Sequence, residues 1–381
     1  MPPIDPSAPP PSTPPTGGAH RTPMRSYLKA VATWVVVLLG LGILLHLSLP
    51  YPWGDAHLWG KLQFLTIHAE RYDTVFIGSS YTYRQISPRI YDAELAELRR
   101  RDALPERRME SFNLGVDGLH LPATQRLFRH LLALDLPKVR TVIVELGRFT
   151  SAVDPEIDHS PEAQCWRTPE LTASMVRFLW HRPDKGVGQK TFQSLKLLGI
   201  QIESYLHFGQ GLRILEFLRG DPSLDSGFLG PDMDGFYAVD RQALALTGRP
   251  LESDLLRRHN PAEVLDDLRR DGIDAFEEEN SGPPNPEAIR VLLDMIAEAE
   301  ADGTQLYFLV PPRLGTRYRH LRPVFDRLPA QHLIAEPADP RLHPELYELD
   351  GAADRGHLNE RGARHYSRLV AREAYRRQSE P

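Results

Sequence analysis

The sequence predicts an α/β protein: a mostly parallel sheet wound by helices on both sides, interrupted by a helical insertion and preceded by one membrane-spanning helix. Three observations predict it. Short runs of β-branched and aromatic residues alternate with helical patterns from 74 to 146 and again after 286. Strands alternating with helices form βαβ units, whose strands are parallel. The alternation lapses over 151–285, too long a stretch for a structureless loop, and its apolar patches are helical. Finally, Ala30–Leu49 contains no charged residue, and about twenty helical residues cross a hydrocarbon core.

Taken in order, 1–26 is a disordered tail with nine prolines before residue 24, a composition that cannot build a core. Residues 27–50 form the span. Arg21, Arg25 and Lys29 precede its uncharged stretch Ala30–Leu49, which places the tail in the cytoplasm and the bulk of the chain outside. Trp34, and Tyr51, Trp53 and Trp59 beyond the other end, suit an aromatic belt. A cleaved signal peptide fits poorly, because Leu49-Pro50-Tyr51-Pro52-Trp53 offers no small-residue cleavage site. His46 reads as an interfacial residue rather than a proton carrier.

The α/β domain then occupies 51–150 and 286–378. An amphipathic helix over 55–72 leads to a strand over 74–79. Ser87 and Pro88 open a helix to about Arg101, as N-cap and first helical residue. Further strands are expected at 110–116, 141–146, 305–310 and, short, near 332–336. Further helices are expected at 122–134, 286–301, near 316–328, and from Asn359 to Arg376. Gly303 ends the helix that Pro286 begins. Within the insertion the clearest helices are Pro169–Trp180, Thr191–Phe208 and Pro261–Arg270, with turns over Gly220–Gly235. The acidic run Glu277–Asn280 reads as a solvated loop.

Composition excludes several functions. The net charge is −6, with no basic stripe for nucleic acid. The single cysteine, Cys165, rules out an internal disulfide and a cysteine zinc cluster, and reads as a small apolar residue. The first βα turn lacks the glycine fingerprint of dinucleotide binding. No metal or cofactor is expected.

What stands out is Asp73–Tyr81, a strand ending abruptly in Gly78-Ser79-Ser80. The carboxyl ends of parallel strands are where open α/β sheets bind ligands. A serine there becomes a nucleophile only with a base within reach, itself oriented by a carboxylate. Asp354-Arg355-Gly356-His357, in the loop before the last helix, delivers both. Ser80, His357 and Asp354 are therefore the candidate catalytic residues. Asp350 competes with Asp354 as orienter.

The order of these motifs resembles the SGNH (GDSL-like) hydrolase superfamily over about 73–150 and 286–376. Gly78-Ser79-Ser80 stands where that family has Gly-Asp-Ser. Asn113-Leu114-Gly115-Val116-Asp117-Gly118 is similar to its second block, and Asp354-Arg355-Gly356-His357-Leu358-Asn359 to its last. The resemblance implies a three-layer flavodoxin-like fold, a Ser80–His357–Asp354 triad, and an oxyanion hole drawing on Gly118, with Gly115 in reserve. One block departs: the family's oxyanion asparagine falls near Phe149 in Val144-Glu145-Leu146-Gly147-Arg148-Phe149. Arg148 could supply a cationic donor there, or form an ordinary surface ion pair. With the anchor, the chain resembles the alginate O-acetylation and teichoic acid D-alanyl transfer proteins. That implies an acyl donor, a cell-envelope polysaccharide acceptor and a membrane-bound O-acyltransferase partner.

Other residues have plainer readings. Ser79 reads as a turn residue, with a helper role as the alternative. Tyr81, Tyr83 and Arg84 either line the pocket or pack. Glu145, inside a buried strand, reads as held by a structural partner such as an arginine, with a pocket role as the alternative. The competing functional reading is a non-catalytic subunit that keeps the fold and binds polysaccharide or a membrane partner, motivated by Phe149 in place of the asparagine.

Overall fold

The computed structural model describes residues 24–105, 109–147, 160–207, 210–220, 226–251, 283–312, 322–354 and 356–379, with single positions at 263, 266 and 270. Residues 1–23 of the proposed tail, Arg148, Phe149, Glu277–Asn280 and most of Pro261–Arg270 lie outside these residues, as does the first part of the 316–328 helix; residues 24–26, expected in the tail, belong to the first helix.

The first helix, α1, runs Met24–Ser48. Its stretch Ser26–Ser48 contains an 18-residue window of mean hydropathy 2.3 and is long and apolar enough to cross a membrane. Helix α2 (Ala56–Ile67) follows, with Asp55 as N-cap accepting the Leu58 N–H at 2.8 Å. Then come β1 (Thr74–Ile77), α3 (Ser80–Gln85), α4 (Pro88–Arg101), β2 (Ser111–Asn113), α5 (Leu121–Ala133) and β3 (Thr141–Glu145). The insertion supplies α6 (Pro161–Trp166), α7 (Pro169–Trp180), α8 (Val187–Leu206), α9 (Gly211–Leu218) and α10 (Val239–Thr247). The chain closes with α11 (Pro286–Asp302), β4 (Gln305–Leu309), α12 (Arg322–Phe325), β5 (Leu333–Ile334) and α13 (Glu360–Ser379).

All five strands are parallel, in the order β2-β1-β3-β4-β5. The period-2 alternation of side chains divides the interior into two cores. Val75 and Ile77 of β1, with Val142 and Val144 of β3, face α2, α5 and α11 through Leu62, Phe128 and Met295. Phe76 and Ile143 point the other way, onto Tyr91 and Leu95 of α4 and Tyr366 and Val370 of α13. Each such fully buried apolar side chain contributes about 1.5–3 kcal/mol. The order reverses direction between β1 and β3, so their carboxyl ends flank a crevice.

Several expected elements differ in extent. The first strand stops at Ile77 because Gly78-Ser79 turns directly into α3, a helix the hydrophobic pattern does not announce. The second strand is only Ser111–Asn113. Beyond it the Leu114 and Val116 N–H groups donate to Phe76 and Gly78 carbonyls, at 2.8 and 3.0 Å, without a regular ladder. The free edge of β2 is covered by the insertion: the Asn113 N–H donates to the Asp234 carbonyl at 2.8 Å. There Gly235 (φ +86°) lies so close that a Cβ would meet the Asn113 carbonyl oxygen at 2.0 Å. Short 3₁₀ turns over Glu336–Ala338, Pro344–Tyr347 and Leu349–Gly351 were not foreseen. Cys165 is buried, as expected.

Candidate active site

The site begins where β1 ends. Gly78 is required by space: a Cβ there would meet Thr82 Oγ1 at 2.1 Å and Glu145 at 2.5 Å. Ser79 caps α3, its Oγ accepting the Tyr81 N–H at 3.3 Å. Ser80 is thereby the first residue of the helix, half-buried, with its hydroxyl at the crevice.

The partner loop arrives from the far end of the chain. It is a tight reverse turn: the Ala353 N–H donates to the His357 carbonyl at 2.9 Å, and Ala352 bridges Leu358. His357 Nε2 lies 2.9 Å from Ser80 Oγ. His357 Nδ1 lies 2.9 and 3.0 Å from the two Asp354 oxygens. A carboxylate only accepts, so Nδ1 carries the proton and the Nε2 lone pair faces the serine hydroxyl. Asp354 Oδ1 also accepts the Gly356 and His357 N–H groups, at 2.6 and 2.9 Å. Burial alone would raise the Asp354 carboxyl. The hydrogen bond and charge of His357 and these two N–H donors outweigh burial and hold it below its ordinary range. The Tyr81 ring stacks on the imidazole, centroids 5.2 Å apart. Gln85 Nε2 donates to the Gly356 carbonyl at 3.0 Å, tying α3 to the loop.

Asp350 is not the orienter. It is exposed and paired with Arg361. The choice between two acids close in sequence is made by the turn, which points Asp354 back toward the ring.

Three buried polar residues brace the turn that carries Ser80. Glu145, at the end of β3, accepts the Ser79 N–H at 2.8 Å and the Ser79 hydroxyl at 2.8 and 2.9 Å. It also accepts the Thr82 N–H at 3.2 Å and the Thr82 hydroxyl at 3.0 Å. The foreseen structural partner of Glu145 thus includes the turn itself, and Ser79 is more than a turn residue. Asn113 Nδ2 donates to the Thr82 and Ile86 carbonyls, both at 2.7 Å, fastening the other end of α3 to β2. Lys61 of α2, fully buried, donates to the Gly115 and Gly235 carbonyls at 2.6 and 2.7 Å and lies 3.8 Å from the Tyr83 ring centroid. Burial, and next the Arg84 charge, push its ammonium well below the usual lysine range. Lys61 was not foreseen, its only signal being a lysine amid apolar residues of a helix, and Asn113 had no expected role beyond opening the 113–118 block.

The oxyanion candidates separate. The Gly115 N–H is already given to Asn113 Oδ1 at 2.9 Å, so Gly115 cannot serve. Gly118 is exposed, with φ +78° and open space around it. The Ser80 N–H belongs to the first turn of α3, where N–H groups have no partner within a helix. Arg148 lies outside the described residues. Of the aromatic pair, Tyr81 lines the site and Tyr83 is core. Arg84 stacks on Tyr83 and donates to Asp117 at 3.0 Å and to the Tyr237 carbonyl at 3.2 Å, a structural tie to the insertion. One described set has metal-ligand character: His343, Glu345 and His365 have ligand atoms within 4.8 Å of one another. It includes none of the Ser80–His357–Asp354 group.

Comparison with family models, with curated proteins and with solved structures finds no match in any of the three.

Proposed function

We propose that the chain performs serine acyl-ester chemistry outside the cytoplasmic membrane, on a cell-envelope polysaccharide. The single observation that carries the reading is the continuous relay Ser80–His357–Asp354, with both contacts at 2.9 Å. Ser80 Oγ attacks the carbonyl carbon of an acyl ester while His357 Nε2 takes its proton. Collapse of the tetrahedral adduct breaks the ester C–O bond, and His357 returns the proton to the departing alcohol. The acyl-Ser80 ester then passes its acyl group to a sugar hydroxyl or to water, with His357 again as base. Ser80 N–H and Gly118 N–H are the donors proposed for the oxyanion.

The strand order 2-1-3-4-5 is one that flavodoxin-like sheets use. Together with the motif order it supports the SGNH-type reading. Helix α1, with Arg25 and Lys29 on its amino side, supports an anchor with a cytoplasmic amino end and an extracytoplasmic site. A membrane-bound O-acyltransferase is the proposed donor partner. The relay favours catalysis over a non-catalytic subunit. A fluorophosphonate probe tests this: covalent labelling of the folded chain is expected, and should vanish in Ser80→Ala. A folded protein that does not label would refute the catalytic reading.

A further inference from the structure

We propose that the outer faces of α8 and α9 lie in the interfacial layer of the phospholipid bilayer that α1 enters, so that three helices rather than one hold the domain to the membrane. This rests on reading α1 as a membrane span.

Phe192, Leu195, Leu198 and Ile202 of α8 follow one another at spacings of three, three and four, which puts them on one helix face. They are 59, 62, 49 and 56% exposed. The opposite face is the one used inside the protein: Leu197 and Ile200 are buried, and Gln201 accepts the Thr172 hydroxyl of α7 at 2.6 Å. Helix α9 repeats the arrangement. Leu212, Leu215 and Leu218 are exposed, while Ile214 is buried and Phe217 meets Trp59 edge-on at 5.1 Å. Each helix therefore carries a second apolar stripe that no described residue covers. Water-facing surfaces rarely carry large contiguous patches of this kind.

The junction with α1 indicates what covers them. The carboxyl end of α8 sits on the carboxyl end of α1. A Cβ at Gly42 would meet the Tyr205 carbonyl oxygen at 2.8 Å, and the His46 ring stands edge-on to Tyr205 at 4.4 Å. Amino-terminal to Gly42, the apolar side chains of α1 are exposed in the same manner. The lipid-facing surface of α1 and the stripe of α8 thus start from one place. Phe192 to Ile202 extends about 15 Å along the helix.

The composition of α8 suits an in-plane helix rather than a second span. It mixes Gln, Ser and Glu203 with the apolar stripe, and Lys190 and Lys196 punctuate it. Lys196 Nζ lies 4.8 Å from the Phe192 ring centroid. A lysine stem laid along an apolar surface with its ammonium at the headgroups is the usual arrangement of an interfacial helix.

The test uses the full chain reconstituted in nanodiscs of phosphatidylethanolamine and phosphatidylglycerol. A nitroxide is attached in turn to Leu195→Cys, Leu198→Cys, Ile202→Cys and Leu215→Cys; native Cys165 is buried. Leu38→Cys in α1 and Glu300→Cys on α11 are the lipid and water references. Collision with oxygen relative to a water-soluble nickel chelate should be severalfold higher at the four stripe positions than at 300, approaching the value at 38. Nickel access at the stripe with lipid-like values at 38 overturns the proposal and leaves the anchor standing. Exclusion of both reagents means that protein covers the stripe, which also overturns it. Nickel access at 38 refutes the anchor itself, and this proposal falls with it.

Discussion

Replacing Asp354 by Asn tests the relay where its geometry is most demanding. Asp354 Oδ1 takes the Gly356 and His357 N–H groups at 2.6 and 2.9 Å, while Oδ2 faces His357 Nδ1 at 2.9 Å. In the asparagine the carbonyl oxygen must stay on the two N–H donors, so the amide NH₂ faces Nδ1. The imidazole then has two options. It can keep the Nδ1 proton and lose a charge-assisted bond, a loss of about 1.5–3 kcal/mol, or roughly 10–150-fold. Or it can move the proton to Nε2, which then points an N–H at Ser80 and no longer acts as a base. The second option avoids two opposed N–H groups, and its known size is about 10⁴-fold, or about 5.4 kcal/mol of barrier. The assay is the second-order rate of fluorophosphonate labelling at neutral pH, with Asp350→Asn as control. Asp354→Asn is expected to label about 10⁴-fold more slowly and the control at the parental rate. Less than a tenfold loss in Asp354→Asn would refute the assignment of Asp354 as orienter.

Substitutions at three other polar residues follow from what those side chains hold. Glu145→Leu strands the Ser79 and Thr82 donors, at about 1–3 kcal/mol per unsatisfied group, and should lower the urea midpoint severely; Glu145→Gln, which keeps an acceptor for the two N–H groups, should fold and label within about tenfold of the parent, since it forfeits one charge-assisted interaction. Lys61→Met leaves the Gly115 and Gly235 carbonyls without their donor and should cost about 2–4 kcal/mol by chemical denaturation; a loss under about 0.5 kcal/mol would show that water replaces the ammonium. Burial pushes the Asp92 carboxyl up to about 7, against the hydrogen bonds it accepts from Ser111. The folded state therefore holds a proton that the unfolded chain releases near pH 4, so this group's contribution to stability falls as pH rises from about 4 to 7. Asp92→Asn removes that fall, and the difference in Tm between variant and parent should grow in the variant's favour across this window; a constant difference would disprove it.

The parts of the fold that local chemistry determines were legible. Pro88, Pro169 and Pro286 each sit in the first helical turn, as expected, and Gly303 ends α11 in a left-handed conformation. The apolar strand cores of β1, β3 and β4 were read to within a residue or two. The Ser80–His357 pairing was legible because the serine and the histidine each sit at a strand or loop end that a parallel sheet brings to one edge. Helix α3 was not, because Ser80–Gln85 carries no apolar periodicity and too few residues to show one. The 3₁₀ turns over 336–351 are set by tertiary packing, such as the Tyr347 hydroxyl donating to the Ala338 carbonyl at 2.5 Å. The unsuitability of Gly115 was invisible for a related reason. Whether an N–H is free depends on a side chain two residues away choosing to accept it.

Helix α3 also shows how the buried polar residues set the geometry of the proposed site. Six residues cannot sustain a helix in water, since nucleation costs more than so few hydrogen bonds return. This one is held at its start by Glu145 and at its end by Asn113, and from the side by Gln85 reaching the Gly356 carbonyl. The last contact runs into the loop that carries Asp354 and His357. The positions of Ser80 and His357 are therefore coupled through Gln85, and through the Tyr81 ring of the same helix that stacks on the imidazole. Gln85→Leu should accordingly slow labelling without changing the partners of Asp354, whereas Asp354→Asn changes the proton's place and leaves α3 intact. Two variants on opposite sides of one hydrogen-bonded circuit thus separate positioning from proton transfer.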